Sequence, residues 1–385
     1  MKILLKGYYG FGNFGDDILL IVSYGLIKEL LPNSEVFIFS NYGLNLSNHV
    51  NEDYYNNYIF KLIGENAKII DWTFQGHFDI VLNGGGGVFF DKNKGSIGRE
   101  ILNNAIKFIG CQNSRKVEKI LRKLFFKTEN ISFKRRIGVG LGIGEFAFGS
   151  PLFAQKMADM GSFDFLWVRD NYSYRKLDQY KFKNRVIKSS DLAFLSDYWN
   201  KKPQKTLDQA KKLNTIGIFL MDNEFSQSSL FNEILNLTLK LEQNEYQVHL
   251  FSLDENYDIN LKAFFGDRLL IWKPNCINLA DYLLKIAQCQ IVISSRAHGA
   301  IIGGILGAIP ICLESSIKLR EVAEMFPESG RICSMDISAE DLSKIIFSIK
   351  SEYKNYTSRL SRDLDLNRTA ILEGVTALKE SLNES

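Results

Sequence analysis

Apolar residues along this chain are grouped in two ways. Short runs rich in Ile, Val, Leu and Phe alternate with longer stretches in which apolar positions recur every three or four residues. The first pattern predicts buried strands and the second predicts helices packed through one face, so their alternation predicts βαβ units around parallel sheets. In the first half, residues 2–6, 35–39, 79–82, 137–140, 165–168 and 186–188 read as strands, and 17–31 as a helix. The pattern breaks between Asp197 and Asn214, at Lys201-Lys202-Pro203-Gln204-Lys205. A second series follows, with strands at 215–220, 247–253, 268–271, 290–294 and 309–313 and helices at 228–243, 278–288 and 339–350. The tail 353–382 is polar with helical periodicity. The expectation is an α/β protein of two doubly wound, Rossmann-like domains, 1–200 and 206–350, facing a cleft, with a helical tail, 351–385, packing back on the first domain.

Composition narrows the function. The chain has 385 residues, 45% hydrophobic and 24% charged, which suits a globular protein and excludes a disordered or fibrous one. A net charge of +3 argues against a nucleic-acid binder. Cys111, Cys276, Cys289, Cys312 and Cys333 are widely spaced and form no zinc or redox pair, which fits a reducing cytoplasm. Ile3-Leu4-Leu5 is followed at once by Lys6 and does not read as a signal peptide. The apolar stretch from Ala300 to Leu313 falls short of the about 20 residues that span a bilayer.

Three glycine-rich segments follow predicted strands. The first runs from Gly7 to Asp17, where Gly10, Gly12 and Gly15 have the spacing of a dinucleotide fingerprint. Ser40-Asn41 stands where a ribose-binding acid belongs, however, and Asp16-Asp17 put negative charge where a pyrophosphate sits, so a nicotinamide or flavin is not expected. The bland role for Asp16 is helix capping. The second segment, Asn83 to Gly87, reads as a loop meeting a ligand or as a plain turn; the third is the run from Gly138 to Gly144.

The most informative stretch is Ser294-Ser295-Arg296-Ala297-His298-Gly299, where a strand delivers hydroxyls, a guanidinium and an imidazole to the start of an apolar helix. That combination suits an anion. Arg169, in Val168-Arg169-Asp170, repeats the logic, with Asp170 capping a helix or orienting the arginine. Asp191 stands as a base or a turn cap.

Taken in order, Gly7 to Asp17, Asn83 to Gly87, Gly138 to Gly144, Val168-Arg169-Asp170, Asp191-Leu192-Ala193-Phe194 and Arg296-Ala297-His298 resemble the polysaccharide pyruvyl transferase family over residues 1 to about 320. The resemblance implies a fold like the GT-B glycosyltransferases. It also implies transfer of pyruvate from phosphoenolpyruvate to a sugar as a ketal, with Arg169, Arg296 and His298 contacting the donor. Ser295 joins that donor set, and Lys318 is the nearest match to a basic residue after the family's last core strand. The chain departs from the family pattern at Asp17, usually Glu, at Glu145, usually Pro, and at Leu192, usually Pro.

On this reading the donor is gripped at its two ends by Arg169 and Arg296, and His298, its pKa raised by the anion, is the proton donor or holds the departing phosphate. Asp191, Asp16 and Asp17 are the candidate bases. Gly12, Asn13, Asp16, Gly85 and Gly86 are placed at acceptor or loop contacts. No metal or separate cofactor is expected. Two alternatives remain: a nucleotide-sugar glycosyltransferase of the same fold, with Glu314 holding the ribose, and a non-catalytic sugar- or anion-binding protein. Between Lys107 and Arg136 ten basic residues stand against two acids. Within that stretch the segment from Ser114 to Lys127 reads as a helix with one apolar stripe and one cationic face. It is either an ordinary surface helix or a contact with an anionic membrane, which suits a lipid-linked acceptor in capsule or exopolysaccharide synthesis.

Overall fold

The structure is a computed structural model that describes residues 1–39, 52–64, 67–71, 74–89, 131–144, 151–182, 184–200, 214–222, 230–255, 258–274 and 276–384. The segment from Ser114 to Lys127, and with it the membrane reading, lies outside the described residues, as does the break at 201–213.

Two parallel sheets carry the chain. The first has seven strands in the order β3-β2-β1-β4-β5-β6-β7. They are β1 Lys2–Lys6, β2 Glu35–Phe39, β3 Lys68–Ile70, β4 Gly76–Phe89, β5 Ile131–Ile143, β6 Phe165–Val168 and β7 Arg185–Lys188. The second has six in the order β10-β9-β8-β11-β12-β13: β8 Thr215–Phe219, β9 Gln247–Ser252, β10 Leu269–Ile271, β11 Ile291–Ser294, β12 Ile309–Leu313 and β13 Arg331–Cys333. In both, strand order reverses beside the first strand of the sheet, between β1 and β4 and between β8 and β11. Such switch points open a crevice at the carboxyl ends of the strands. Central strands are buried on both faces, Ile3, Leu4 and Leu5 of β1 and Ile291, Val292 and Ile293 of β11 all being inaccessible, which is why they read as continuous apolar runs.

Helices α1 Phe14–Leu30 and α2 Glu52–Ile63 belong to the first sheet, followed by α3 Pro151–Met160 and α4 Asn171–Gln179. The second sheet carries α5 Leu230–Gln243, α6 Ile259–Phe265, α7 Leu279–Ala287, α8 Ala297–Ile305, α9 Ile317–Glu324 and α10 Ala339–Ser351. The last helix, α11 Tyr353–Asn383, returns to the first sheet. It packs so closely on β6 that a Cβ at Gly374 would lie 2.8 Å from the Trp167 ring. Ser190 Oγ donates to Asn367 Oδ1 at 2.6 Å, and Arg185 pairs with Glu380 and Glu384. No described helix is long and apolar enough to cross a membrane.

The glycine runs differ from the loop expected at Asn83 to Gly87. Both continue as paired strand, with Asn83 beside Gly138, Gly84 beside Val139 and Gly86 beside Leu141. The reason is the close seating of α1. A Cβ at Gly84 would fall 2.4 Å from Ser23 Oγ and 2.5 Å from Tyr9 Oη, and one at Gly85, whose φ is +57°, 2.7 Å from Leu19. Only a strand without side chains lets the helix come this near.

The N-terminus of α1 also stitches the two halves together. Phe14, fully buried, stacks edge-on against Trp272 and Tyr282 of the second half at 5.1 and 4.8 Å. Its amide donates to Leu253 O at 2.8 Å.

Candidate functional site

Each candidate side chain lies just past a strand or in the first turn of the following helix. Arg169 follows β6, Arg296 and His298 follow β11, Asp16 and Asp17 open α1 after β1, Lys318 opens α9 after β12, and Asp191 follows β7. The cleft between the two sheets gathers them.

Arg169 is 5% exposed and its NH1 donates to Asp191 Oδ2 at 2.9 Å, with Asp170 Oδ2 3.5 Å from its Nε. Asp191 is inaccessible; its Oδ1 caps the short turn Leu192–Phe194 by accepting from Ala193 N at 3.0 Å. Both roles imagined for Asp170 are filled, since it also caps α4 through Ser173 N at 2.7 Å. Asp191 in turn is an anchor for Arg169 and lies 3.8 Å from His298 Nε2, which leaves it poorly placed as a free base.

Arg296 is held from below. Its NH2 donates to Asp258 Oδ1 at 2.6 Å, and Asp258, 1% exposed, also accepts from Ser252 Oγ at 2.7 Å. The turn that presents Arg296 is closed by Ser294 Oγ, which donates to Arg296 O and accepts from Arg296 N. Ser295 is 2% exposed and its Oγ has no hydrogen-bond partner among the described residues, and His298 Nε2 is likewise buried and unmet. Two orphaned polar atoms flanking a guanidinium are a costly arrangement unless a ligand satisfies them.

The His298 ring lies over the first turn of α1, where a Cβ at Gly15 would come within 2.0 Å of Nδ1. A longer side chain at Gly15 would displace the imidazole. The raised pKa expected of His298 is that of an imidazole beside a bound anion; the protein's own surroundings shift it downward, to about 4. Burial is the main cause, and Arg169 and Lys318 push the same way against Asp191. The imidazole is therefore neutral at neutral pH and offers a hydrogen bond rather than a proton.

Asp17 differs from its expected catalytic role. It is 1% exposed, with Oδ1 accepting from Tyr58 and Oδ2 from Trp272 Nε1 at 2.7 Å, so it ties α1 to the second half. Burial, only partly offset by those two hydrogen bonds, pushes its pKa up to about 8. Asn13, placed among acceptor contacts, is instead the cap of α1, accepting from Gly15 N at 3.0 Å and Asp16 N at 3.4 Å while its amide donates to Asp254. Capping therefore falls to Asn13 and frees Asp16, which is only partly buried. Gly12 adopts φ +75°, and Gly86 faces Asp16, its notional Cβ 3.4 Å from Asp16 Oδ1; Gly85 instead lies beneath Leu19.

Lys318 is exposed in the first turn of α9, and its charge acts on both Asp16 and His298. Asp254 and Asp258, which sequence reasoning missed, complete the cluster. Their signal was present, since both stand just after β9, the kind of position that singled out Arg169 and Arg296. Glu314 accepts from Arg320.

A family profile described as polysaccharide pyruvyl transferase matches residues 13–316, which takes in every residue of this cluster except Lys318. The chain belongs to the polysaccharide pyruvyl transferase family. It is thus a member of a transferase family of polysaccharide biosynthesis. Among curated proteins nothing matches the chain. Among solved structures it is similar to UDP-GlcNAc 2-epimerase from Neisseria meningitidis, bound in that structure to UDP-GlcNAc, with TM-score 0.55, 13% identity and 100% of both chains covered. A putative UDP-N-acetylglucosamine 2-epimerase from Listeria monocytogenes gives TM-score 0.53 and 13% identity over 100% of this chain and 97% of that one. These likenesses establish the GT-B-type fold of the pyruvyl transferase chain and nothing about its substrates.

Proposed function

We propose that the chain transfers pyruvate from phosphoenolpyruvate to two hydroxyls of a sugar in a polysaccharide or its lipid-linked precursor, forming a ketal and releasing phosphate. One observation carries this reading. Arg169 from the first sheet and Arg296 from the second, together with Lys318, all act electrostatically on the same carboxylate, Asp16. Cations from both halves thus converge on one carboxylate, and Asp191 joins Arg169 of the first half, at 2.9 Å, to His298 of the second, at 3.8 Å. Phosphoenolpyruvate carries a carboxylate and a phosphate on a three-carbon frame, two anionic groups for cations of the two halves to hold. Ser295 Oγ and the neutral His298 supply hydrogen bonds to its oxygens, and the chain's own cations neutralise its charge without a separate cofactor.

The rival donor, a nucleotide sugar, calls on a ribose-holding acid after β12, and Glu314 there is already engaged by Arg320. The deciding experiment is incubation of the protein with phosphoenolpyruvate and a panel of free and lipid-linked galactosides and hexosamines. Phosphate release matched mole for mole by an acid-labile pyruvate ketal is expected. Transfer from a nucleotide sugar with no phosphoenolpyruvate consumption overturns the reading, and so does donor binding that never yields product with any acceptor.

A lipid-linked acceptor gives the basic segment from Ser114 to Lys127 a purpose at an anionic membrane surface. The protein is expected to sediment with anionic liposomes at low salt and to be released at high salt. Changing Lys116, Lys119, Arg122 and Lys123 to Glu is expected to abolish the association. Equal sedimentation with neutral vesicles overturns the membrane reading of this segment.

A further inference from the structure

The carboxylates around the cleft are almost all spoken for. Asp17 accepts from Tyr58 and Trp272, Asp191 from Arg169, Asp254 from Asn13 and Asp258 from Arg296. Asp16 differs: among the described residues its side chain makes no hydrogen bond or ion pair, yet the charges of Arg169, Arg296 and Lys318 all reach it. It stands beside Gly86, where a Cβ would lie 3.4 Å from Asp16 Oδ1, and one residue past Gly15, over which the His298 ring lies. The other ionisable groups that act on it or feel it are Tyr9, Asp17 and Asp254.

We propose that Asp16 takes up a proton when the donor binds, delivers it to the donor's methylene carbon, and then accepts the proton of the attacking sugar hydroxyl. This rests on the pyruvyl-transfer reading. In the free protein the partial burial of the Asp16 carboxyl, with the charge of Asp254, raises its pKa to about 7 against the pull of the three cations. A donor anion that occupies those cations removes the pull and adds repulsion, so the ionised form becomes costlier and a proton is drawn in from solvent.

The chemistry then balances. The enol π electrons form a C–H bond to the Asp16 proton, and the first sugar oxygen bonds to the electron-poor central carbon, returning its proton to Asp16. The bond from that carbon to the phosphate oxygen breaks, the second hydroxyl adds to the same carbon, and its proton leaves on phosphate. His298, neutral in the free protein, holds the departing group by a hydrogen bond, and Asp16 leaves the chemical steps protonated, as it entered them, and returns the proton taken from solvent once the phosphate departs.

The test needs no acceptor. Phosphoenolpyruvate is titrated calorimetrically into the full chain at pH 8 in two buffers of different ionisation enthalpy, which reads the protons taken up per donor bound. The wild type is expected to take up close to one proton, because free Asp16 is mostly ionised there. Asp16→Asn is expected to bind donor at least as tightly with no uptake, and His298→Gln to retain uptake. Should Asp16→Asn fail to fold, the pH dependence of the wild type carries the same test. Uptake on Asp16 grows above pH 7 and vanishes below about pH 6, where the free carboxyl is already protonated; uptake on His298 peaks in acid instead. Donor binding with no uptake, uptake that persists in Asp16→Asn, or an acid-side maximum overturns the proposal. Failure of the wild type to bind phosphoenolpyruvate at all is a different result, and it removes the donor reading itself.

Discussion

Arg296→Ala is expected to lower donor affinity at least a hundredfold and to destabilise the fold by about 3 kcal/mol or more. The two losses have separate causes. Arg296 is the cation that the second sheet contributes to the cleft, and a charge-assisted, forked contact to a carboxylate or phosphate is not replaced by water. Beneath it Asp258, 1% exposed, depends on the Arg296 NH2 at 2.6 Å. Without the guanidinium the partners left to this buried carboxylate among the described residues are Ser252 Oγ and the Asp222 amide, and breaking a buried pair from one side costs more than the pair ever contributed. The double variant Arg296→Ala with Asp258→Asn is therefore expected to recover much of the stability and none of the donor affinity. Thermal denaturation and donor titration on the same samples separate the effects. Donor affinity within threefold of wild type in Arg296→Ala would show that the residue is a structural partner of Asp258 and no more.

What the sequence disclosed and what it hid follow from the kind of force involved. Strands β1, β2, β6, β11 and β12 were legible because burial on both faces demands unbroken apolar runs. The edge strands β3 and β13 were not, being three residues long with one or more positions open to solvent. The stretch from Gly84 to Gly87 was misread as a loop because glycine has no strand propensity. Its place in β4 is imposed from outside, by Tyr9, Leu19 and Ser23 of the segment that packs on it. In the cleft, residue types that announce anion chemistry were visible as positions after strands. Partnership was not. That Asn13 rather than Asp16 caps α1, that Asp258 holds Arg296, and that Asp17 joins the two halves through Trp272 all depend on contacts 38 or more residues apart, or on a choice between neighbours that only backbone geometry makes. The pKa of His298 was hidden for the same reason: its sequence neighbours suggest an anion, whereas burial beside Arg169 and Lys318 sets the sign in the free protein.

Asp191→Ala is expected to be the most damaging single change in the first half, because one buried carboxylate serves three groups. It accepts from Arg169 NH1 at 2.9 Å, caps the turn Leu192–Phe194 through Ala193 N at 3.0 Å, and faces His298 Nε2 at 3.8 Å. Its removal leaves Arg169, 5% exposed, with only the longer contact to Asp170, a loss of about 3–5 kcal/mol, and the missing cap adds about 1 kcal/mol. Asp191→Asn separates the functions. The amide oxygen still caps Ala193, so most of the cap is kept, but the charge that steadies Arg169 is gone and the guanidinium is free to leave its donor-binding orientation. The Asn variant is therefore expected to fold with a modestly lower denaturant midpoint, to bind donor at least tenfold more weakly, and to turn over slowly. His298 supplies an independent reading. Asp191 raises its pKa against burial, so in Asp191→Asn the imidazole should titrate even lower than about 4, visible as ring chemical shifts that stay at their neutral values through the acid range. An unchanged His298 titration together with wild-type donor affinity would mean that Asp191 acts on the turn alone, and that Arg169 takes its orientation from Asp170.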